Sequence, residues 1–246
     1  MCCLLLQVFQ PGGNDMTGRI VMGALVVVAA IGVRANPASA QQSLTVQVGA
    51  FMPRSEDARV KNDVLVTDRQ YLLFEIKDFH AMTVAGDWAV SLGGYFEAGA
   101  GFGFYQRTVP TVYADWVNAE GREIEQDLTL RIMPLTAIVK ILPLGSKRAF
   151  QPYVGGGLGV YFWRYSETGD FVDFVDGSIF RDSFVDSGTS LGPIAVFGVR
   201  GRVSSRAVLG VEGRLQWGEG DLSQDFLSDK IDLGGFSILA TFGYRF

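Results

Sequence analysis

The C-terminal stretch of the chain reads Phe236-Ser237-Ile238-Leu239-Ala240-Thr241-Phe242-Gly243-Tyr244-Arg245-Phe246. Successive side chains of a β-strand point to opposite faces, so every second residue shares a face. One face is therefore apolar and aromatic, with Phe236, Ile238, Ala240, Phe242, Tyr244 and Phe246. The other face carries Ser237, Leu239, Thr241, Gly243 and Arg245. This pattern predicts a strand that meets a protein core or lipid on one side and polar groups on the other.

The start of the chain predicts export. Met16 to Arg19 carries one positive charge, an apolar run follows over residues 20–33, and Ala38-Ser39-Ala40 is a small-x-small site. This order describes a secretory signal peptide. The apolar run is shorter than the roughly 20 residues of a membrane-spanning helix, which makes a retained anchor the weaker alternative. We expect a leader over residues 1–40, with the signal proper over 16–40 and translation from Met16 rather than Met1, and a single mature domain over 41–246.

The composition restricts the class of the mature domain. Both cysteines, Cys2 and Cys3, lie in the leader, so disulfides cannot stabilise the exported domain. No long uncharged stretch follows Ala40, which excludes a helical membrane protein. The 31 glycines and 12% aromatic residues suit closely packed strands with aromatic girdles. A closed β-barrel, which is held by backbone ladders, meets all three conditions.

Alternation of apolar and polar residues recurs along the mature chain. It predicts eight strands over residues 44–52, 70–77, 88–107, 128–142, 150–165, 191–202, 207–217 and 236–246. Four long and three short connections join them in alternation. Within the fourth strand the apolar face changes sides at Pro134, which predicts a β-bulge there because proline cannot donate to the ladder.

The chain resembles the small eight-stranded outer-membrane β-barrels, namely OmpX-like proteins, the membrane domain of OmpA and OmpW-like proteins. Phe242, Tyr244 and Phe246 resemble the C-terminal assembly signal of that class, although Thr241 stands where the pattern often has glycine. The resemblance implies an all-β fold: a closed antiparallel eight-stranded transmembrane β-barrel with long extracellular loops and short periplasmic turns. It also implies a monomer in the bacterial outer membrane. Its partners would be membrane lipid, lipopolysaccharide and, during biogenesis, the barrel-assembly machinery.

Charged residues occupy the faces predicted to point inward. They are Glu75, Lys77, Glu97, Arg131, Lys140, Arg200, Glu212 and Arg214. The interior of an eight-stranded barrel is just wide enough to be filled by side chains, and buried charges must pair. We therefore predict an ion-pair network that fills the lumen. The alternative is a narrow OmpW-like or porin-like channel for small hydrophobic or polar molecules, for which Phe51, Leu73 and Met133 are the large inward apolar residues.

The predicted loop over residues 166–188 is acidic. Asp170, Asp173 and Asp176 recur at a spacing of three, which makes them a candidate divalent-cation site, although the spacing does not match an EF-hand. The alternative is a solvated loop whose carboxylates share cations with lipopolysaccharide phosphates.

Catalytic groups are scarce. His80 is the only histidine, and the predicted strands place it near the first short turn, at the periplasmic end, so that no Ser-His-Asp arrangement forms at the outer leaflet. One histidine without a mature cysteine does not make a metal site, and nothing resembles a phosphate loop or a nucleic-acid surface. We expect a non-enzymatic protein without a cofactor, with a structural or surface-interaction role in the bacterial envelope.

Overall fold

In the computed structural model, which describes residues 41–173 and 176–246, eight long strands close into an antiparallel barrel. They are β1 (Gln42–Pro53), β2 (Ala81–Leu92), β3 (Phe96–Val117), β4 (Glu123–Ile141), β5 (Phe150–Val172), β6 (Ile179–Arg202), β7 (Ala207–Gln216) and β10 (Gly235–Arg245). Two short strands, β8 (Glu219–Asp221) and β9 (Lys230–Asp232), pair separately. The barrel order is β1-β10-β7-β6-β5-β4-β3-β2. The predicted leader lies outside the described residues.

The last strand closes the barrel as its sequence predicts. β10 pairs with β1 and β7, with Tyr244 opposite Leu44 and Phe242 opposite Leu209. Phe242 is 52% exposed, whereas Leu239 and Arg245 face the interior and are buried. The predicted orientation of the side chains on the two faces of this strand is therefore confirmed, and the aromatic residues of the predicted assembly signal point outward.

Apolar side chains form a continuous band around the outside of the barrel. Exposed members include Leu44, Val46, Val48, Met82, Val84, Trp88, Phe96, Phe102, Phe104, Leu135, Val139, Val154, Leu158, Phe162, Leu191, Phe197, Leu209, Val211, Ile238 and Phe242. A contiguous apolar surface of this extent is unfavourable in water and matches lipid. The strands β3 to β6 continue well beyond this band at the end where the long loops lie, which we call the long-loop end.

The second strand is not where the sequence predicts it. Residues 70–77 belong to loop 1 (residues 54–80), and β2 follows it. The predicted strand over 88–107 is in fact parts of β2 and β3 joined by a tight turn, where Gly93 adopts a φ of 79°. The alternation of Leu72, Phe74 and Ile76 arises because all three pack inward from the loop. The alternation therefore predicts correctly that these residues are buried, but it predicts a strand where the backbone forms a loop.

Two hairpins are longer than predicted. β3 and β4 run to residues 117 and 123, and β5 and β6 leave only residues 173–178 between them. The polar segments predicted as loops are largely strands with solvent on one side. The predicted bulge at Pro134 is also wrong, because the β4–β5 register is constant from Gln126 to Ile141.

Loop 1 contains the helix α1 (Val64–Asp68) and 3-10 turns at Glu56–Ala58 and Ile76–Phe79. Asp63 caps α1 by accepting a hydrogen bond from the Val66 backbone N–H. Among the described residues, no helix is long and apolar enough to span a membrane. Val64 and Leu65 are fully buried, so α1 lies against the apolar interior.

Candidate functional site: a lumen filled in two layers

An ion-pair cluster lies in the half of the lumen nearest the short turns. Glu212, which is 0% exposed, accepts from Lys140 Nζ at 2.6 Å, from Arg214 Nε at 2.5 Å and from the Tyr153 hydroxyl at 2.8 Å. Arg214 also donates through Nη2 to Asp87 Oδ2 at 2.5 Å. We call Asp87, Lys140, Glu212 and Arg214 the central ion cluster. Two carboxylates are thus matched by two cations.

A second ion pair lies beside this cluster. Arg200 Nη2 donates to Glu97 Oε1 at 2.5 Å, and Arg200 Nε donates to Gln151 Oε1 at 2.9 Å. The Tyr153 ring separates the two sets, with Lys140 Nζ 4.9 Å and the Arg200 guanidinium carbon 5.6 Å from its centroid. Cations over an aromatic face are stabilised by its quadrupole, so Tyr153 links the cluster and the pair into one network.

Five of the residues predicted to lie in the lumen are in this network: Glu97, Lys140, Arg200, Glu212 and Arg214. Sequence reasoning missed Asp87, which it assigned to a turn. Asp87 alternates with Ala85 and Ala89 on the inner face of β2, and this signal was hidden by the wrong position of the second strand.

Three predicted lumen residues are not in the lumen. Glu75 and Lys77 lie in loop 1, pair with each other at 2.7 Å and are exposed, because the segment is a turn rather than a strand. Arg131 is on the outer face of β4, opposite Arg164 of β5. Its neighbours Leu130 and Ile132 point inward and are buried, which reverses the predicted faces.

The other half of the lumen is apolar. Its buried members include Phe51, Tyr105, Val109, Leu128, Leu130, Ile132, Tyr161, Trp163 and Tyr165 from the strands, and Val64, Leu65, Leu72, Phe74, Phe79, Phe226, Ile231 and Leu233 from the loops. Of the apolar residues predicted to point inward, Phe51 does so, whereas Leu73 is exposed and Met133 is on the outer face. We call this set the apolar layer. A cavity of about 30 Å³ remains between it and the network.

Buried charges fasten loop 1 to loop 4 (residues 217–234) above the apolar layer. Arg59 donates to both carboxylate oxygens of Asp63, at 2.7 and 3.0 Å, and to the Asp232 backbone carbonyl at 3.0 Å. Asp63 Oδ2 accepts from the Asp232 backbone N–H at 2.6 Å, and Arg54 pairs with the Asp232 side chain at 3.1 Å. Charge-assisted hydrogen bonds of this kind are among the stronger contacts in proteins, so the two loops form one cap.

A second, larger cavity of about 350 Å³ opens at the long-loop end. We call it the outer cavity. Asp68 and Glu167 lie in its lining, and the Tyr165 hydroxyl donates to Asp68 Oδ2 at 3.0 Å. Burial and the charge of Glu167 raise the pKa of Asp68, and burial raises the pKa of Glu167 to about 7. Sequence reasoning missed this pair because its members are distant along the chain.

The candidate cation residues lie close to this cavity. Asp170 is in β5 opposite Arg181 of β6, Asp173 lines the outer cavity, and Asp176 accepts from the Ser178 backbone N–H at 2.9 Å. Within residues 41–173 and 176–246, no group of three or more carboxylate, histidine or cysteine side chains is arranged to hold a metal ion.

His80 is at the opposite end from its predicted place. It directly precedes β2, at the long-loop end, because the second strand begins after loop 1. It shares an open surface cleft with Ser55, Glu56 and Glu75. Glu75 is paired with Lys77, and Glu56 with Arg69. The described structure gives no hydrogen bond from the imidazole to Ser55 or to either carboxylate.

Eight antiparallel strands, an apolar outer band and a lumen filled by side chains define a small transmembrane β-barrel. No protein-family model and no curated protein matches the chain. Among solved structures, the outer membrane protein OprG from Pseudomonas aeruginosa matches with a TM-score of 0.50 and 13% identity, over 85% of this chain and 96% of OprG. Neisserial surface protein A matches with a TM-score of 0.45 and 12% identity, over 85% of this chain and 99% of its own. The attachment invasion locus protein Ail of Yersinia pestis matches with a TM-score of 0.44 and 12% identity, over 85% of this chain and all of its own.

The chain therefore has the fold of the small eight-stranded outer-membrane β-barrels, as the resemblance in its sequence predicts. At these identities the likeness concerns the fold alone, and the function must be argued from the side chains.

Proposed function

We propose that this protein is a non-enzymatic component of the bacterial outer membrane, with a closed lumen and a structural or surface-interaction role. The observation that carries this proposal is that three successive layers fill the lumen along the barrel. The ion network closes one half, the apolar layer fills the other, and the loop cap covers the long-loop end. A solute crossing the barrel would have to displace all three.

The outer surface supports the proposed place in the membrane. Arg131 and Arg164 lie side by side on the outer face, just beyond Phe162 at the edge of the apolar band. Guanidinium groups bind phosphate in a bidentate manner, so this pair suits lipopolysaccharide phosphates in the outer leaflet. We propose that the long-loop end faces outward, as in bacterial barrels of this architecture. Cleavage of the leader, a monomeric state and delivery by the barrel-assembly machinery complete the proposal.

Conductance of the purified protein in a planar bilayer tests the closed lumen. The wild type should be electrically silent. Glu212→Ala should produce small or noisy currents, because it leaves Lys140 and Arg214 without their shared partner. Arg131→Ala is the matched control, since it removes a charge from the outer face, and it should remain silent.

Discrete current steps from the wild type would overturn the closed lumen. Folding of each variant is checked first by the shift in gel mobility on heating, which separates loss of the barrel from opening of the lumen.

A second function, passage of small hydrophobic molecules, is favoured by one observation. The β3–β4 ladder has no paired residues at positions 103–104 and 133–134, and the small cavity beside Pro134 lies directly behind this gap. An uncharged solute could leave sideways there without crossing the ion network. Uptake of a fluorescent hydrophobic solute by liposomes containing the protein tests this. Pro134→Thr restores the missing N–H and should slow uptake if the gap is the exit, and absence of uptake by the wild type would remove this function.

A further inference from the structure

The outer cavity combines buried acid with aromatic walls. Its carboxyl groups come from Asp68 of α1 and Glu167 of β5, which are 1% and 8% exposed. Glu167 lies beyond Phe162, and therefore outside the apolar band. Its Oε1 atom is buried without a hydrogen-bond partner within the described structure, while the carboxyl group as a whole also interacts with Tyr165 and Asp68. A buried acceptor without a donor is costly, and this one lies at a cavity that could admit a donor.

The walls of the cavity are aromatic. Phe171 contacts Phe180 in a stacked arrangement at 5.9 Å and Phe184 edge-on at 4.8 Å, and Tyr113 lies across from them in β3. Aromatic faces attract cations, and more strongly where water is excluded. The volume of about 350 Å³ lies within the range of small-molecule sites, roughly 300–1,000 Å³.

The electrostatic surroundings are negative. Asp173 and Asp225 also line the cavity, and none of the lining residues within the described ranges is basic. The raised pKa values of Asp68 and Glu167 follow from burial without a cation beside them. A cation that enters the cavity would favour the ionised forms of both carboxyl groups and so lower their pKa values.

We propose that the outer cavity is a binding site for a small organic cation, namely a protonated amine on an aromatic or alkyl body. The ammonium group donates to Glu167 and Asp68, and the apolar body lies against Phe171, Phe180 and Phe184. A metal ion fits less well, because calcium takes six to eight oxygen ligands and no group of three metal-binding side chains forms here among the described residues. This site is independent of whether the lumen conducts.

Calorimetry with the full-length protein in lipid nanodiscs tests the site, with phenethylamine as the probe. Phenethyl alcohol is the neutral isostere and phenylacetate the anionic one. The amine should bind about tenfold more tightly than the alcohol, as expected for one charge-assisted hydrogen bond, and the anion should not bind. The affinity for the amine should rise between pH 5 and pH 8 as the pair loses its proton, whereas that for the alcohol should not change.

Three variants show whether amine binding depends on the charge and aromatic groups of the cavity or only on its shape. Glu167→Gln should weaken amine binding about tenfold and leave the alcohol unaffected. Phe184→Leu keeps most of the side-chain volume but removes the aromatic ring. It should weaken binding of the amine more than binding of the alcohol. Glu123→Gln, which removes an exposed carboxylate of the same end, should change neither affinity.

Four results would overturn the proposal. Three are equal affinity for the amine and the alcohol, full amine affinity in folded Glu167→Gln, and no amine binding at millimolar concentration. Calcium binding that excludes the amine would also contradict it, because the carboxyl pair would then be part of a metal site.

Discussion

The two halves of the lumen are filled by different chemistry. Near the short turns, strand residues such as Glu212 and Arg214 neutralise one another, and every partner is held by the barrel itself. At the long-loop end, apolar strand residues such as Leu130 are covered by loop residues such as Leu65. The first half is therefore as rigid as the sheet. The second depends on loops that can separate from it, so the two halves should respond differently to mutation and pH.

The largest expected effect is in the ion network. Glu212→Ala should lower the free energy of unfolding by about 3–5 kcal/mol, because Asp87 is then the one carboxylate of the cluster left to neutralise the buried Lys140 and Arg214. Urea unfolding in detergent measures it. Glu75→Ala, which removes an exposed loop carboxylate, is the control and should have little effect. If the two variants were equally stable, the network would contribute nothing to the fold.

The loop cap should open without loss of the barrel. Asp63→Ala removes the partner of Arg59 and an acceptor for Asp232, and we expect about 3 kcal/mol of local destabilisation. Limited proteolysis should then cut loop 1 while the heated-gel shift of the barrel persists. Glu56→Ala, which removes an exposed partner of Arg69, should not expose the loop. Cooperative loss of the whole barrel in Asp63→Ala would show that the halves are not separable.

The stability of the long-loop end should decrease as pH rises. The unfolded carboxyl loses its proton near 4.5, but the folded Glu167 loses it only near 7, so the folded state holds the extra proton between these values. Stability that is full below pH 4.5 is lost as pH rises through 7, by about 2–3 kcal/mol. Hydrogen exchange of loop 1 at pH 5 and pH 8 measures it. In Glu167→Gln the slope should become shallower, because Asp68 keeps the part of its raised pKa that burial causes. A stability that rises with pH in the wild type would contradict the assignment.

The smallest effect is expected at His80. Its imidazole shares a cleft with Ser55 but is not oriented by a carboxylate in the described structure, so nothing there activates a hydroxyl nucleophile. His80→Ala should leave lipid A turnover in the host membrane unchanged, as measured by mass spectrometry of extracted lipid. Ser55→Ala provides the parallel variant. A change in turnover shared by both variants would show that the protein is an enzyme.

The candidate site could be predicted in part. Glu97, Arg200, Glu212 and Arg214 were found because polar residues on an otherwise alternating strand must face inward within a lipid-embedded barrel. Asp68 and Glu167 could not be predicted as a site, because they are 99 positions apart and meet only when loop 1 packs inside the barrel.

The barrel class could be predicted from the sequence, because alternation of period two fixes strand faces wherever one side meets lipid, as in β10. The predicted number of strands was correct only because two errors cancelled: residues 70–77 form a loop, and residues 88–107 span parts of two strands. Tertiary structure alone decided the long-loop end. There the outer face is in water and the inner face is apolar, so Leu128, Leu130 and Ile132 look like lipid-facing residues although they point inward. The same alternation has opposite meanings inside and beyond the membrane, because the solvent on the outer face changes. A local pattern cannot show where that change occurs.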